Sequence, residues 1–511
     1  MSDPAPVPHR RTSVRVAGAG LWLVAGRLGA KVVDFVALIV LAGLLTPADF
    51  GLVAMAMTVI LLVEAVLDMP LTQSIVRAET PGAADYDTAF TLGLLRSGVL
   101  CAIVLGVAWP AAAFYGEPRL PLLLCALMLA PLLRGAQSPR LADYMRRYDM
   151  RPSFVNELAG KVCALAAVAI LALATRSYWA IAAGTIITPM VMVALSYVWA
   201  PYRPRLDLGR WREFHDIVGW NSLTQLISAL SWHIDRILLG RVLPLGALGG
   251  YTLSKDLIGI PFQAILYPVA SPLLNAFARA SDAEARRRTW IKSLNAAMFV
   301  MGPLLTGMAI LSAPAIHTLL GSEWAQAAPY MSALAVTALP GAVTPLLSPL
   351  AIAAYRTRMV TIRTLAEFAI KLPLTILGVW HWGVWGAILA QAAATGAGAV
   401  YVLFGARSLT GAPVLGQILS MWRTLAGVAV LAGVTLLLCP SVAAAGEGWR
   451  DRAVLGLLTG LTFAAGLAGH VSTCLLLWRV SGRPAGVESL LLDALGVVVR
   501  KAGWGAPVRS A

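Results

Sequence analysis

The sequence predicts an all-α integral membrane protein of about 14 transmembrane helices, built as two six-helix pseudo-symmetric lobes plus a C-terminal helix pair. Three observations carry that prediction. Of 511 residues, 59% are hydrophobic and only 13% charged, with a mean hydropathy of +0.76. An ordinary soluble domain is about 25% charged. Apolar runs of about 20 residues or more, the length a membrane span needs, recur along the whole chain. The chain also repeats itself weakly at an offset near 200 residues. So few charges cannot screen so much apolar surface from water, which excludes a soluble enzyme, a secreted disulfide scaffold and a disordered chain.

The elements follow in order. Residues 1–16 form an inner tail with Arg10, Arg11 and Arg15. The first run, α1 (17–45), is too long for a signal-peptide core and lacks a small-residue cleavage site, so it is expected as an uncleaved helix. The first lobe (17–200) continues with α2 (49–76), α3 (86–114), α4 (120–142), α5 (152–175) and α6 (177–200). A basic linker, 201–213, leads to the second lobe (214–406). That lobe holds α7 (214–241), α8 (248–277), α9 (290–320), α10 (325–354), α11 (359–380) and α12 (382–406). The pair α13 (414–440) and α14 (453–478) follows, then an inner tail, 479–511. The runs are Leu- and Ala-rich and far longer than the ~9–11 residues of a membrane strand, which makes them helices. Pro261, Pro268 and Pro272 in α8, and Pro340, Pro345 and Pro349 in α10, are expected to interrupt the backbone ladder, either as hinges or as fixed kinks.

An even number of spans puts both termini on one side. With the termini inside, 27 basic residues fall on the inner side and five on the outer. This strong positive-inside bias accounts for most of the net charge of +15 without a nucleic-acid partner. The five cysteines, Cys101, Cys125, Cys163, Cys439 and Cys474, lack metal or CxxC spacing and read as buried small apolar residues. Tryptophans near span ends, such as Trp199, Trp211, Trp290, Trp324, Trp380, Trp449 and Trp478, read as an aromatic belt.

The repeat shows in three places. Glu157 and Lys161 of α5 recur as Glu367 and Lys371 of α11; Trp179 aligns with Trp385; Phe50-Gly51 aligns with Leu248-Gly249. Six helices per half place both halves the same way up, and repeats of that kind hold substrate sites between the halves near mid-bilayer.

The stretches LLTPADFGLVAMAMTVI (44–60), SKDLIGIPFQAILYPVASPLLNAFARA (254–280) and LLGSEWAQAAPYMSALAV (319–336) resemble Wzx-type polysaccharide and lipopolysaccharide flippases of the multidrug/oligosaccharidyl-lipid/polysaccharide (MOP) exporter superfamily. The resemblance spans about residues 15–480 and is specific for the family rather than the substrate. It implies two six-helix lobes around a central cavity in the bacterial inner membrane. It further implies alternating access and export of an undecaprenyl-diphosphate-linked oligosaccharide for exopolysaccharide or lipopolysaccharide biosynthesis. The implied partners are that lipid-linked substrate, membrane lipid, and the polymerase and glycosyltransferases of the same pathway.

Charges inside spans are costly and face protein or water-filled interior. In α1, Arg27, Lys31 and Asp34 share a face, and in α2 so do Glu64 and Asp68. At 1.5 Å per residue, Lys31 matches Glu64 in height at roughly 20 Å from the inner end, and Arg27 matches Asp68. The two stripes form either a structural ladder of ion pairs or a cavity wall whose cations exchange carboxylates for a diphosphate. Arg96 of α3 is a candidate for touching an anion. Asn221, Gln225, His233, Asp235 and Arg236 of α7, with Lys255 and Asp256 of α8, form a second cluster, either cavity-lining or stapling helices. The Glu157/Lys161 and Glu367/Lys371 pairs can neutralise themselves along their own helices, with Lys371 also a candidate for substrate. Arg27, Lys31, Arg96, Asn221, Gln225, Arg236, Lys255 and Lys371 are thus the substrate-binding candidates. Asp34, Glu64, Asp68, Asp235 and Asp256 are candidates for ion coupling or ion pairing.

No P-loop, HExxH, metal-ligand cluster or nucleophile–base pattern appears, so no cofactor, metal or catalytic residue is expected. Two alternatives stand beside the flippase. A membrane-embedded polysaccharide polymerase or ligase (a glycosyltransferase) generally needs a substantial outer loop, and the longest here is 441–452. A cation-coupled multidrug antiporter of the same superfamily should carry mainly acidic charge in its spans, whereas here bases and acids are nearly balanced.

Overall fold

Helices occupy most of the described part of each expected run in the computed structural model. It describes residues 29–482 apart from 68, 70, 79, 148, 443–445 and 447, and only the backbone of 212–225. No strand occurs among the described residues. The described part of α1 is helical over 29–44. Thr46 caps α2, Pro47–Val66, reciprocally with Asp49, and Pro47 fills the first helical position, where a missing N–H costs nothing. After a break, Leu71–Arg77 completes α2. Next come α3 (Ala83–Tyr115), α4 (Leu120–Leu127 and Leu129–Gly135), a short helix Leu141–Arg146, α5 (Arg151–Thr175), α6 (Trp179–Trp199) and α7 (Trp211–Val242).

The proline-rich spans are broken as their sequence demands. In α8, Leu245–Pro261 passes into a π turn, Phe262–Leu266, then a 3₁₀ turn, Tyr267–Val269, before Ala270–Ala278. Pro261 and Pro268 cannot donate to the ladder and their rings crowd the preceding turn. In α10, Ala327–Ala338 and Pro340–Ala353 meet at 50°. The later elements are α9 (Ala283–Ile310, with Ser312–Leu320 beyond it), α11 (Arg358–Trp382), α12 (Val384–Thr410), α13 (Val414–Ser420 and Trp422–Leu438, bent by 47°) and α14 (Trp449–Val480).

Eight described helices are long and apolar enough to cross a membrane, ten if each bent pair is one span. The expected fourteen are therefore not all met on that criterion. The apolar part of α4 is short, Leu120–Gly135, and α7 and α11 are long helices rich in polar groups. The chain is a multi-pass membrane protein. Large apolar side chains such as Ile170, Leu173 and Leu437 stand exposed, as lipid contact requires.

The chain divides into two compact units. One takes the chain up to Leu253 together with Leu372–Ala387; the other takes Ser254–Lys371 and the chain from Ile388 onward. In the first, the linker after α6 lies across the start of α3. Tyr202 donates to Asp87 at 2.5 Å, Arg210 reaches Asp85 at 3.2 Å, and the Asp207 N–H donates to Thr91 at 3.0 Å. Burial, with Asp87 beside it, pushes the Tyr202 hydroxyl well above the usual tyrosine range. The linker is thus fastened to α3 as well as supplying positive charge.

In the second unit α13 and α14 pack on α9. Trp290 is fully buried and donates to Gln417 at 2.9 Å, while the Gln417 amide donates to the carbonyls of Leu403 and Ala412. Trp290, Trp324 and Trp478 are buried against protein, which corrects their assignment to an aromatic belt. Trp199, Trp211, Trp380 and Trp449 are exposed as that assignment expects. Cys163 and Cys439 are exposed rather than buried, because they lie on outward faces of their elements; Cys474 is buried.

Candidate functional site

The clearest charge group in the first unit joins α1 to α5. Lys161 donates to both carboxylate oxygens of Asp34, at 2.6 Å each. Lys31, one turn before Asp34 on its own helix, lies 3.6 Å from the same carboxylate. Among the described residues, two ammonium groups therefore share one carboxylate. The Asp34 side chain is 42% exposed, Lys31 34% and Lys161 19%. Within a span, such accessible charge requires water or a polar ligand beside it.

The second unit holds a related group on α11. Arg363 pairs with Glu367 at 2.6 Å, and Lys371, one turn further on, acts on the same carboxylate through space. Lys371 is buried, with 4% of its surface accessible. Gly398 of α12 makes the space: a Cβ there would stand 2.8 Å from Glu367 Cδ. Lys161 and Lys371 are the lysines that the expected repeat aligns, and each compact unit sets one of them near a second cation and a carboxylate.

These pairings correct the expected ones. Lys31 pairs along α1 with Asp34, and Glu64 pairs with Arg134 at the end of α4, so Lys31 and Glu64 do not form the expected rung. Arg27 and Asp68 lie outside the described residues, as do the side chains of Asn221 and Gln225. Self-neutralisation along α5 gives way to the cross-helix bond from Lys161 to Asp34, and on α11 Glu367 takes Arg363 one turn earlier. For Lys161 the reason is rotation: an i, i+4 partner competes with any group a neighbouring helix presents at shorter range.

The α7–α8 cluster is split as adjacency on a helix requires. Asp235 is fully buried and accepts from the Tyr251 hydroxyl, while Arg236 is half-buried and acts on that tyrosine electrostatically. Lys255 and His233 are half-buried and Asp256 is exposed. Arg96 is half-buried on α3. Tyr251, Arg134 and Arg363 were not among the expected site residues. Arg363 was visible as Arg-x-x-x-Glu one turn before Glu367, whereas no spacing in the sequence marks Tyr251. Among the described residues no group of three His, Cys, Asp or Glu could hold a metal ion.

Comparison with known proteins follows from this geometry. A family model described as polysaccharide biosynthesis protein matches residues 40–329. The chain is 25% identical over 347 residues to the succinoglycan biosynthesis transport protein ExoT of Rhizobium meliloti, covering 66% of this chain and 68% of that protein. It is 22% identical over 322 residues to the lipopolysaccharide biosynthesis protein WzxC of Escherichia coli, covering 59% and 62%. Among solved structures, the lipid II flippase MurJ in an inward closed conformation matches with a TM-score of 0.69 at 12% identity, over 91% of this chain and 99% of that one. An inward-facing multidrug resistance MATE transporter of the MOP superfamily matches with a TM-score of 0.58 at 14% identity, over 76% and 98%. These two likenesses establish a shared fold.

Proposed function

The chain belongs to the polysaccharide biosynthesis protein family whose model it matches, and from that premise we propose that it is a flippase for an undecaprenyl-diphosphate-linked oligosaccharide in the bacterial inner membrane. Both termini face the cytoplasm, as the distribution of basic residues favours. The observation that carries the reading is the recurrence, in each compact unit, of two cations sharing one carboxylate on helices expected to cross the membrane: Lys31 and Lys161 on Asp34, Arg363 and Lys371 on Glu367. A diphosphate brings two or more negative charges. It can take the place of the internal carboxylate on such a cation pair, so the charge is compensated with and without substrate.

Transport then proceeds by alternating access. The phosphorylated sugar head enters a wet chamber from the cytoplasmic side while the polyprenyl tail stays in lipid. Arg27, Arg96, Arg236 and Lys255 add positive potential, Asn221 and Gln225 contact sugar hydroxyls, and the carboxylates of Asp34, Glu64, Asp68, Asp235 and Asp256 reclaim the cations after release or couple the cycle to an ion. The transport names of the relatives support this reading over a polymerase or ligase. The superfamily's multidrug transporters share the fold, but paired cations on single carboxylates suit an anion better than a cationic drug.

Complementation tests it. Cells lacking the protein accumulate cytoplasm-facing lipid-linked oligosaccharide, and the wild-type chain relieves the accumulation. A Lys31→Ala/Lys161→Ala/Arg363→Ala/Lys371→Ala variant at normal abundance does not. Full relief by that variant would remove the site assignment.

A further inference from the structure

The short helix Ser312–Leu320 beyond α9 packs along the first turns of α14, and two glycines make the contact. Gly321 closes the short helix at a φ of 92°. A Cβ added there would stand 3.0 Å from Nη2, 3.2 Å from Nη1 and 3.3 Å from Cζ of Arg452, so the guanidinium lies face-on over this glycine. One turn beyond Arg452, a Cβ added at Gly456 would stand 2.6 Å from Thr318 Cγ2. Arg452 and Thr318 therefore share one seam. His317 stands one turn before Gly321, whose N–H donates to the His317 carbonyl at 3.1 Å, and so flanks the same seam.

Each of these three side chains buries a polar atom that meets no hydrogen-bond partner among the described residues: Arg452 Nε, Thr318 Oγ1 and His317 Nδ1. His317 keeps only 9% of its surface accessible. Unpaired buried groups are costly, and a guanidinium, a hydroxyl and an imidazole gathered at one seam are the donors that suit an anion. The nearby acids do not supply it. Asp451 turns back toward Gly446 and Gly448, and neither Asp451 nor Glu323 pairs with Arg452. A role for Arg452 in capping the carbonyl end of the short helix would leave His317 and Thr318 unexplained. The same two helices expose Leu319, Val454 and Leu457 beside the seam, which brings acyl chains next to the donors. An anion carried on an acyl chain fits both observations.

We infer that His317, Thr318 and Arg452 form a binding site for the phosphate group of a lipid headgroup. In the expected orientation this end of α14 lies on the outer side, where Arg450 and Arg452 are two of only five basic residues, so a specific use for positive charge there runs against the general sorting. The phosphate belongs either to a phospholipid of the bilayer or to a polyprenyl diphosphate. The site shares no residue with the Asp34 and Glu367 groups, so it can fail while transport through those groups stands, and the reverse.

The reporter is full-length protein with its five cysteines replaced and Ser322→Cys, an exposed position next to Gly321. A neighbouring guanidinium favours the thiolate and speeds its reaction with maleimide, and a phosphate on that guanidinium cancels the effect and covers the thiol. In detergent, inorganic pyrophosphate should slow labelling about threefold or more, and chloride at equal ionic strength should not. Arg452→Gln should label slowly and ignore pyrophosphate. Arg450→Gln, whose guanidinium lies over the Trp449 ring instead, should respond like the parent. If Arg452→Gln does not accumulate, Thr318→Val takes its place and should need several-fold more pyrophosphate for the same slowing. Phosphatidylcholine vesicles containing either phosphatidylglycerol or undecaprenyl diphosphate then identify the source: slowing by the first assigns the site to a bilayer phospholipid, and slowing by the second alone assigns it to the polyprenyl carrier. Labelling unaffected by pyrophosphate, or still slowed by it in Arg452→Gln, would overturn the site. Slowing by pyrophosphate but by neither lipid would overturn its assignment to a lipid headgroup.

Discussion

Lys161 of α5 holds both oxygens of Asp34 of α1, and Lys31 waits 3.6 Å from the same carboxylate. This arrangement makes the two lysines unequal in a testable way. Losing Lys161 leaves Asp34 with Lys31, so Lys161→Met should fold at near-normal abundance while transport falls about tenfold or more. Losing both leaves a carboxylate uncompensated, and Lys31→Met/Lys161→Met should destabilise by about 1–3 kcal/mol, measured by thermal unfolding in detergent. Asp34→Asn frees both ammonium groups and should tighten binding of a diphosphate lipid while slowing its release.

Gly398 should be intolerant of a methyl group, although it sits in a regular helix. Gly398→Ala pushes on Glu367 and displaces it from Arg363. Transport should fall as far as it does for Glu367→Ala, and the two changes combined should be no worse than either. Additive losses would show that Gly398 acts elsewhere.

The buried Trp290–Gln417 bond ties α9 to the start of α13. Trp290→Phe removes one hydrogen bond and should cost about 1 kcal/mol. Gln417→Ala strands the Trp290 N–H and two backbone carbonyls and leaves a cavity, and should cost about 2–4 kcal/mol. Denaturation of the purified protein in detergent separates the two.

The linker offers a proteolytic reading. Tyr202→Phe removes the bond to Asp87 that fastens the linker to α3. With the linker on the inner face, as the proposed orientation has it, trypsin should then cut at Arg203 and Arg205 several-fold faster in inverted vesicles.

Acid should act on the helix ends first. Asp282 caps α9 by accepting from the Ala285 N–H, and that bond holds its carboxyl below the usual aspartate range. A folded value below the unfolded one means the cap contributes fully above the ordinary carboxylate value, about pH 4, and loses that contribution as pH falls through the folded value. Glu117, held low by the Arg119 guanidinium, follows the same sign. The stability gap between wild type and Asp282→Ala should therefore be flat near neutrality and close below about pH 4.

Much of the fold was legible because lipid imposes it. Twenty apolar residues in succession have few alternatives to a helix, and Pro261, Pro268 and Pro340 marked where α8 and α10 break. The shared spacing of Glu157/Lys161 and Glu367/Lys371 pointed to the lysines around which each charge group forms. Partner choice was not legible. Spacing fixes which residues share a face of one helix, but Lys161 reaches Asp34, and Glu64 reaches Arg134, only because of how neighbouring helices are rotated and offset. The same limit hid Trp290: proximity to a span end suits a lipid-facing belt and a buried anchor equally, and Gln417, 127 residues away, decides it.

Translocation by the purified protein tests the central claim most directly. The chain is reconstituted into vesicles carrying an undecaprenyl-diphosphate oligosaccharide in one leaflet, and a glycan-binding lectin reports its arrival on the other face. The account predicts transfer that depends on the protein, requires the diphosphate, and collapses in the Lys31/Lys161/Arg363/Lys371→Ala variant. Transfer no faster than in protein-free vesicles, or equally fast for a neutral lipid-linked glycan, would contradict it.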